Sequence, residues 1–178
     1  SGAEEPNAQQ VFFGTFNGVS DEVETPASGE LTIEGACRAF AIGSYNTFTS
    51  KNAPVYAKGC ITGVTEWGNV DHIPAYAFYE CKKMVSCEMP DSILSIGQYA
   101  FYYCSGIATL KLSNSITVIP NGAFADWIAL REVTIPASVT EIGLFAFTSI
   151  RTGADSLTVT MLSTTPPTLK KDTSSGSP

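Results

Sequence analysis

The chain has 178 residues, of which 17 are acidic and 10 are Lys or Arg, so its formal net charge is −7. This balance argues against binding to nucleic acid or to an anionic membrane surface, because both require clusters of Lys and Arg. No apolar run approaches the roughly 20 residues that a membrane-spanning helix needs, so we expect no membrane insertion by this chain.

The region before residue 61 divides into two predicted parts. Residues 1–27 are polar apart from the aromatic run Val11–Phe16, and we interpret them as an N-terminal segment that is partly flexible. Residues 28–60 contain strand-like runs such as Leu31–Ile33 and Ala39–Ile42. Because the end of a repeat array exposes apolar groups and an unpaired strand edge, we predict that 28–60 form a β-rich N-terminal cap. A small independent domain is the alternative, although the segment is short for one.

The region that follows is an internal repeat. The dipeptide Ala-Phe recurs every 23 residues and begins at positions 77, 100, 123 and 146. A fixed period of this length predicts a stack of equivalent coils, a solenoid. The four predicted units are 61–83, 84–106, 107–129 and 130–152. Each unit repeats seven apolar positions, from which only Glu66 departs. Two of the predicted core columns are Phe78, Phe101, Phe124, Phe147 and Ile73, Ile96, Ile119, Ile142.

Within each unit the spacing predicts two short strands and a turn. Val133–Ile135 alternates with period two, as expected for a strand with one buried face, and Pro136 ends it. Val139–Ile142 predicts a second extended piece. The Ala-Phe-x-x-Cys stretch has helical spacing and predicts about one turn of helix. After the fourth unit the spacing slips by three residues, Leu157–Met161 predicts a last strand, and residues 170–178 form a polar tail.

Two segments carry a resemblance to a known family. Ile96–Cys104 and Ile135–Gly143, the latter followed by Ala146-Phe147, resemble the BspA-like leucine-rich repeat of bacterial cell-surface proteins. The resemblance covers residues 61–169. It implies an α/β leucine-rich-repeat solenoid of parallel strands and short helical turns, with four full coils and a terminal strand. It also implies an extracellular or cell-surface location and a role in adhesion. Lipid anchoring through a segment not present here is one alternative, and the mode of anchoring is left open by the sequence.

The five cysteines do not have zinc-ligand spacing. Cys81 and Cys104 occupy the same repeat position as Trp127 and Ile150, so this position requires apolar volume, and we interpret its cysteines as buried thiols. Stacking also places Cys81 and Cys104 near disulfide range, which is the alternative. Whether Cys37 and Cys60 pair is left open.

The sequence contains no convincing catalytic site. The single histidine, His72, lies beside Asp71 on a short connection, and the sequence suggests neither a nucleophile nor an oxyanion site for it. Phosphate-binding loops and calcium-loop spacings are also missing from the sequence. We therefore expect no enzymatic activity, no cofactor and no metal.

The surface positions of the repeat are more informative about function than the search for a catalytic site. A tyrosine cluster lies at the Ala-Phe turns of the first two units, and the period predicts that Tyr76 stacks on Tyr99 and Tyr79 on Tyr102. The cluster is either a ladder that covers the edge of the core or a binding surface. Three further candidates, Trp67, Glu88 and Lys111, are predicted on the outward face of the first strand in their units. The candidate binding residues are Tyr76, Tyr79, Tyr99, Tyr102, Tyr103, Trp67, Glu88 and Lys111.

The predicted function is therefore binding. We expect a surface or secreted adhesion module that recognises, through the repeat surface, a host extracellular protein or glycan or another bacterial surface protein. The alternatives are a structural spacer that displays another domain and an accessory protein that captures glycans. Neither the ligand nor the oligomeric state is predicted by the sequence.

Overall fold

A computed structural model describes residues 14–16, 29–33, 61–68, 70–148 and 157–171. Much of the predicted cap, the pair Cys37 and Cys60, and most of the polar tail lie outside the described residues. The described residues form twelve strands. These are β1 (Gly14–Phe16), β2 (Gly29–Ile33), β3 (Ile61–Glu66), β4 (His72–Ile73), β5 (Ser86–Glu88), β6 (Ser95–Ile96), β7 (Thr109–Lys111), β8 (Val118–Ile119), β9 (Glu132–Ile135), β10 (Glu141–Ile142), β11 (Thr158–Met161) and β12 (Thr168–Leu169).

The strands of the coils form parallel ladders with strands of neighbouring coils. In one ladder β5 pairs with β7, so that Cys87 lies opposite Leu110. In the other, β4 pairs with β6, so that Ile73 lies opposite Ile96, and β10 pairs with β8 and with β12 in a separate three-stranded sheet. Partner residues in these first pairs are 23 positions apart. The predicted solenoid of 23-residue coils with parallel strands is therefore confirmed.

The predicted helical turns are wrong for the described residues, which contain no helix. In the first Ala-Phe segment, hydrogen bonds alternate between the coil and its neighbour. The Ala77 N–H donates to the Pro74 carbonyl oxygen within the coil (3.3 Å), whereas the Phe78 N–H donates to the Ala100 carbonyl oxygen in the next coil (2.7 Å). A positive φ of 60° at Tyr76 interrupts the helical conformation. The apolar spacing is present, but alternate backbone N–H groups donate to the next coil instead of continuing a helix.

The core is built from columns of like side chains. The rings of Phe78 and Phe101 stack at 4.9 Å, those of Phe101 and Phe124 at 5.8 Å, and those of Phe124 and Phe147 at 5.5 Å. The isoleucine column is buried at its first three positions and partly buried at Ile142, in the last coil. Phe147 is also partly buried, so both predicted columns are confirmed with their last members only partly covered.

At the N-terminal end, a strand from the predicted cap region pairs with the first coil. Strand β2 pairs with β3 in parallel, and β1 pairs with β2 antiparallel. The strand-like run Leu31–Ile33 thus forms part of β2 and hydrogen-bonds to the edge of β3. That residues 28–60 as a whole form a cap remains a prediction.

At the C-terminal end, the slip in the period is also seen in the structure. Thr158 of β11 pairs with Glu132 of β9, three residues later than the 23-residue period would place it. Strand β11 is the predicted last strand. Val159 and Met161 on this strand, and Leu169 on β12, are exposed apolar side chains, as expected for the outermost coil of a stack.

The three described cysteines, Cys81, Cys87 and Cys104, are free and buried. The Cys104 thiol donates a hydrogen bond to the Phe78 carbonyl oxygen at 3.2 Å, and burial raises the pKa of Cys87 well above its ordinary value. The interpretation as buried thiols is confirmed, and Cys81 and Cys104 form no disulfide.

Candidate functional site

The tyrosine surface, defined as Tyr76, Tyr79, Tyr99, Tyr102 and Tyr103, is one contiguous cluster. The ring centroids of Tyr76 and Tyr99 lie 5.3 Å apart and those of Tyr79 and Tyr102 lie 5.1 Å apart, with interplanar angles of 23° and 14°. Both predicted stacks are confirmed. Tyr76 also contacts Tyr79, and Tyr99 contacts Tyr102, so the two stacks lie side by side. Tyr103 is the most open ring, with 37% of its surface exposed.

The turn conformation sets the direction of these rings. Tyr76, Tyr99 and Tyr103 have φ values of 60°, 55° and 57°, a left-handed region that non-glycine residues seldom adopt. The next residue in the column of Tyr76 and Tyr99 is Gly122, with φ of 61°. A Cβ on Gly122 would lie 2.3 Å from the Cε1 atom of Tyr99. Glycine therefore provides the space in which the last ring of the stack lies.

Charged groups surround the tyrosine surface, and the sequence prediction did not include them. The Tyr102 hydroxyl donates a hydrogen bond to the Asp126 carboxylate, which with desolvation raises the pKa of Tyr102 to about 12. Burial and the adjacent Glu80 carboxylate raise the pKa of Tyr79. The Lys82 ammonium lies 4.4 Å from the centroid of the Tyr103 ring, in a cation–π contact. The 23-residue period, applied to charged residues, could have revealed that residues 80, 103 and 126 form a column.

Trp67 does not lie on the exposed strand face where it was predicted. Only 6% of its surface is exposed, and its ring meets Phe78 edge-on at 5.9 Å. Its indole N–H donates to the Glu88 carbonyl oxygen at 2.9 Å. The strand ends at Glu66, and the chain turns at Gly68 with φ of 52°. The alternation of inward and outward side chains along the strand therefore stops before Trp67. Glu66 is the one polar residue in the predicted core pattern, and its neighbour Trp67 supplies an apolar side chain to the core instead.

The other two strand-face candidates are exposed and adjacent. Glu88 and Lys111 lie opposite each other on β5 and β7. Together with Trp67 they line a shallow cavity of about 330 Å³. The structure thus separates the predicted binding residues into two groups, the tyrosine surface at the turns and this groove at the strand ladder.

His72 makes a hydrogen bond through its Nδ1 atom to the Ser95 hydroxyl of the next coil. Both residues are exposed to solvent in the structure. Partial desolvation lowers the pKa of His72, and the Asp71 carboxylate opposes this effect. In the part of the chain that the structure describes, no group of three or more His, Cys, Asp or Glu residues could hold a metal ion. Over the same residues, no helix is long and apolar enough to cross a membrane.

Comparison with known proteins gives matches to one family and to solved structures. The family model of the BspA type leucine-rich repeat region matches residues 54–163 in six copies. A leucine rich cell surface protein from Faecalibacterium prausnitzii is 26% identical, with a TM-score of 0.46 over 75% of this chain and 30% of that one. A leucine-rich repeat protein from Bacteroides capillosus is 27% identical, with a TM-score of 0.43 over 84% of this chain and 96% of that one. The T. pallidum leucine-rich repeat protein is 23% identical, with a TM-score of 0.48 over 74% of this chain and 61% of that one. No curated protein matches the chain.

Proposed function

The chain belongs to the family of BspA type leucine-rich repeat proteins, and we propose that it is a binding module outside the bacterial cell or on its surface. Its partner is a host extracellular protein or glycan, or another bacterial surface protein, which it contacts through the repeat surface. Repeat solenoids of this kind present extended surfaces that suit recognition. We propose no catalytic activity for the chain.

The observation that carries this proposal is the local character of the tyrosine surface. The first three coils form the same turn, yet the third coil has Gly122 and Ala125 where the first has Tyr76 and Tyr79. The third coil nevertheless continues the hydrogen-bond ladder, since the Gly122 N–H donates to the Leu144 carbonyl oxygen at 2.9 Å. The fold therefore does not require tyrosine at these positions. A feature that the fold does not require is the better candidate for function.

The physical properties of the tyrosine surface suit recognition. Stacked rings lose little conformational freedom on binding, since their neighbours already hold them in place, and they combine apolar faces with hydroxyl groups. Aromatic residues of this kind dominate the binding energy of many interfaces. The contacts among the rings also stabilise the fold to some extent, so a test needs variants that separate the two effects.

The test is a binding screen of the purified chain against host matrix proteins, mucins and glycans. The triple variant Tyr79→Ser, Tyr102→Ser, Tyr103→Ser is expected to weaken a hit by at least about 2 kcal/mol, the scale of an aromatic hot spot. The single variant Tyr103→Ser changes the most exposed ring and is expected to fold normally. Ile128→Ser, at a site that is 49% exposed in the third coil, is the matched control. A hit that survives Tyr103→Ser and the folded triple variant would move the site to the groove of Glu88 and Lys111.

A further inference from the structure

A column of three side chains runs across the tyrosine surface. Glu80, Tyr103 and Asp126 occupy the same position in successive coils, and their φ values are 61°, 57° and 61°. Each donates its backbone N–H to the following coil, at 2.8, 2.9 and 2.6 Å. Because the backbone is the same at all three positions, the side chains leave it in the same direction, one coil spacing of about 4.8 Å apart. The column therefore places an aromatic ring between two carboxylates.

The aromatic ring of this column already contacts a cation, the ammonium of Lys82. The ammonium of Lys82 lies 4.4 Å from the centre of the Tyr103 ring, where the ring quadrupole favours positive charge. Asp126 accepts a hydrogen bond from the Tyr102 hydroxyl. A carboxylate offers about four acceptor positions, so one hydrogen bond leaves it able to accept others. Lys82 is exposed and carried on a flexible stem, so a cation from a partner can displace it.

We propose that the Glu80–Tyr103–Asp126 column binds an arginine side chain presented by a basic segment of the partner protein. In the complex the guanidinium replaces Lys82 over the ring of Tyr103 and donates hydrogen bonds to the Asp126 carboxylate. The inference rests on the binding function proposed above and specifies the class of partner.

The chemistry of the column favours arginine on a protein over the other partners considered. A planar guanidinium can stack on an aromatic ring and donate to a carboxylate at the same time, whereas an ammonium acts as a point charge. A lysine from the partner would only exchange one ammonium for another. An acidic glycan would be repelled by the two carboxylates, and a neutral glycan would not use their charge. The net charge of −7 adds long-range attraction for a basic partner.

The test uses three synthetic peptides of equal length, built on repeats of Gly-Arg-Ser, Gly-Lys-Ser or Gly-Gln-Ser. Each peptide is titrated into the full chain at physiological ionic strength, and its affinity is measured by isothermal titration calorimetry. We expect the arginine peptide to bind more tightly than the lysine peptide and the glutamine peptide not to bind. Asp126→Asn and Tyr103→Leu should each weaken binding of the arginine peptide about fivefold or more, the scale of a partly desolvated cation–π or charged contact.

Lysine variants separate a specific subsite from general attraction. Lys82→Met removes the internal competitor and should tighten binding of the arginine peptide about threefold, whereas Lys83→Met, with the same change in net charge at the next residue, should change it less than about twofold. Asparagine is close to aspartate in shape and tolerates a positive φ, so Asp126→Asn should keep the melting temperature of the parent chain.

Three outcomes would overturn the inference. Binding that is equally strong in Asp126→Asn and Tyr103→Leu, or that tightens as much in Lys83→Met as in Lys82→Met, would show diffuse attraction to an acidic chain. A lack of binding of the arginine peptide would reject the arginine subsite. The proposed binding function is tested separately by the screen with the tyrosine variants, so either idea can fail alone.

Discussion

Replacing Phe124 by alanine is expected to lower the free energy of unfolding by about 4 kcal/mol, within the range for truncation of a buried phenylalanine. The ring is 1% exposed, stacks on Phe101 and Phe147, and meets Trp127 edge-on at 5.1 Å. Alanine would remove all of these contacts at once. The coils cannot close the gap readily, because the Phe124 N–H is hydrogen-bonded to the Ala146 carbonyl oxygen at 2.9 Å.

The loss is measured by urea unfolding followed with far-ultraviolet circular dichroism. Tryptophan fluorescence serves only as a second probe, because Trp127 touches the mutated ring. Phe145→Ala is the matched control: the same residue type lies in the next coil, is 57% exposed, and should cost less than about 1 kcal/mol. If Phe124→Ala also costs less than about 1 kcal/mol, the column is not a continuous packed stack and the reasoning from the 23-residue register is refuted.

Three other changes test the ends, the turn and the electrostatics of the stack. Deletion of residues 1–60 should expose the edge of β3 and cause oligomerisation, measured by light scattering; a monomer with an unchanged melting temperature would show that these residues are an appendage. Gly122→Ala should cost about 1–2 kcal/mol in urea unfolding, because its Cβ meets Tyr99 and its φ is positive; an unchanged midpoint would contradict the close approach. Spectrophotometric titration should show one tyrosine with a pKa of about 12, assigned to Tyr102 by its downward shift in Asp126→Asn. That pKa lies above the ordinary value of about 10, so the protonated Tyr102 hydroxyl stabilises the folded state. This contribution to the free energy of unfolding is complete below about pH 10 and is lost as the pH rises through 12. A Tyr102 that titrates normally would exclude the hydrogen bond.

The candidate site was predictable in part. In a solenoid, residues one period apart lie on neighbouring coils, so the stacking of Tyr79 on Tyr102 followed from the sequence alone. The same arithmetic did not reveal the contact of Lys82 with Tyr103, which depends on where a flexible side chain crosses a turn. The sequence analysis also missed that Gly122 leaves space for the Tyr99 ring. A glycine adds no side chain to the repeat pattern, so this role becomes visible only when the position of the ring is known.

The sequence by itself determined the repeat length, the parallel stacking of coils and the identity of the core columns, because a period of 23 residues relates every buried position to its neighbour in space. Only the tertiary structure decided how the turns are built and where Trp67 lies. Local apolar spacing cannot show whether a backbone N–H donates within its own turn or to the next coil, and the Phe78 N–H donates to the next coil. Alternation likewise cannot show where a strand stops, and β3 ends one residue before Trp67, which turns inward and packs on Phe78.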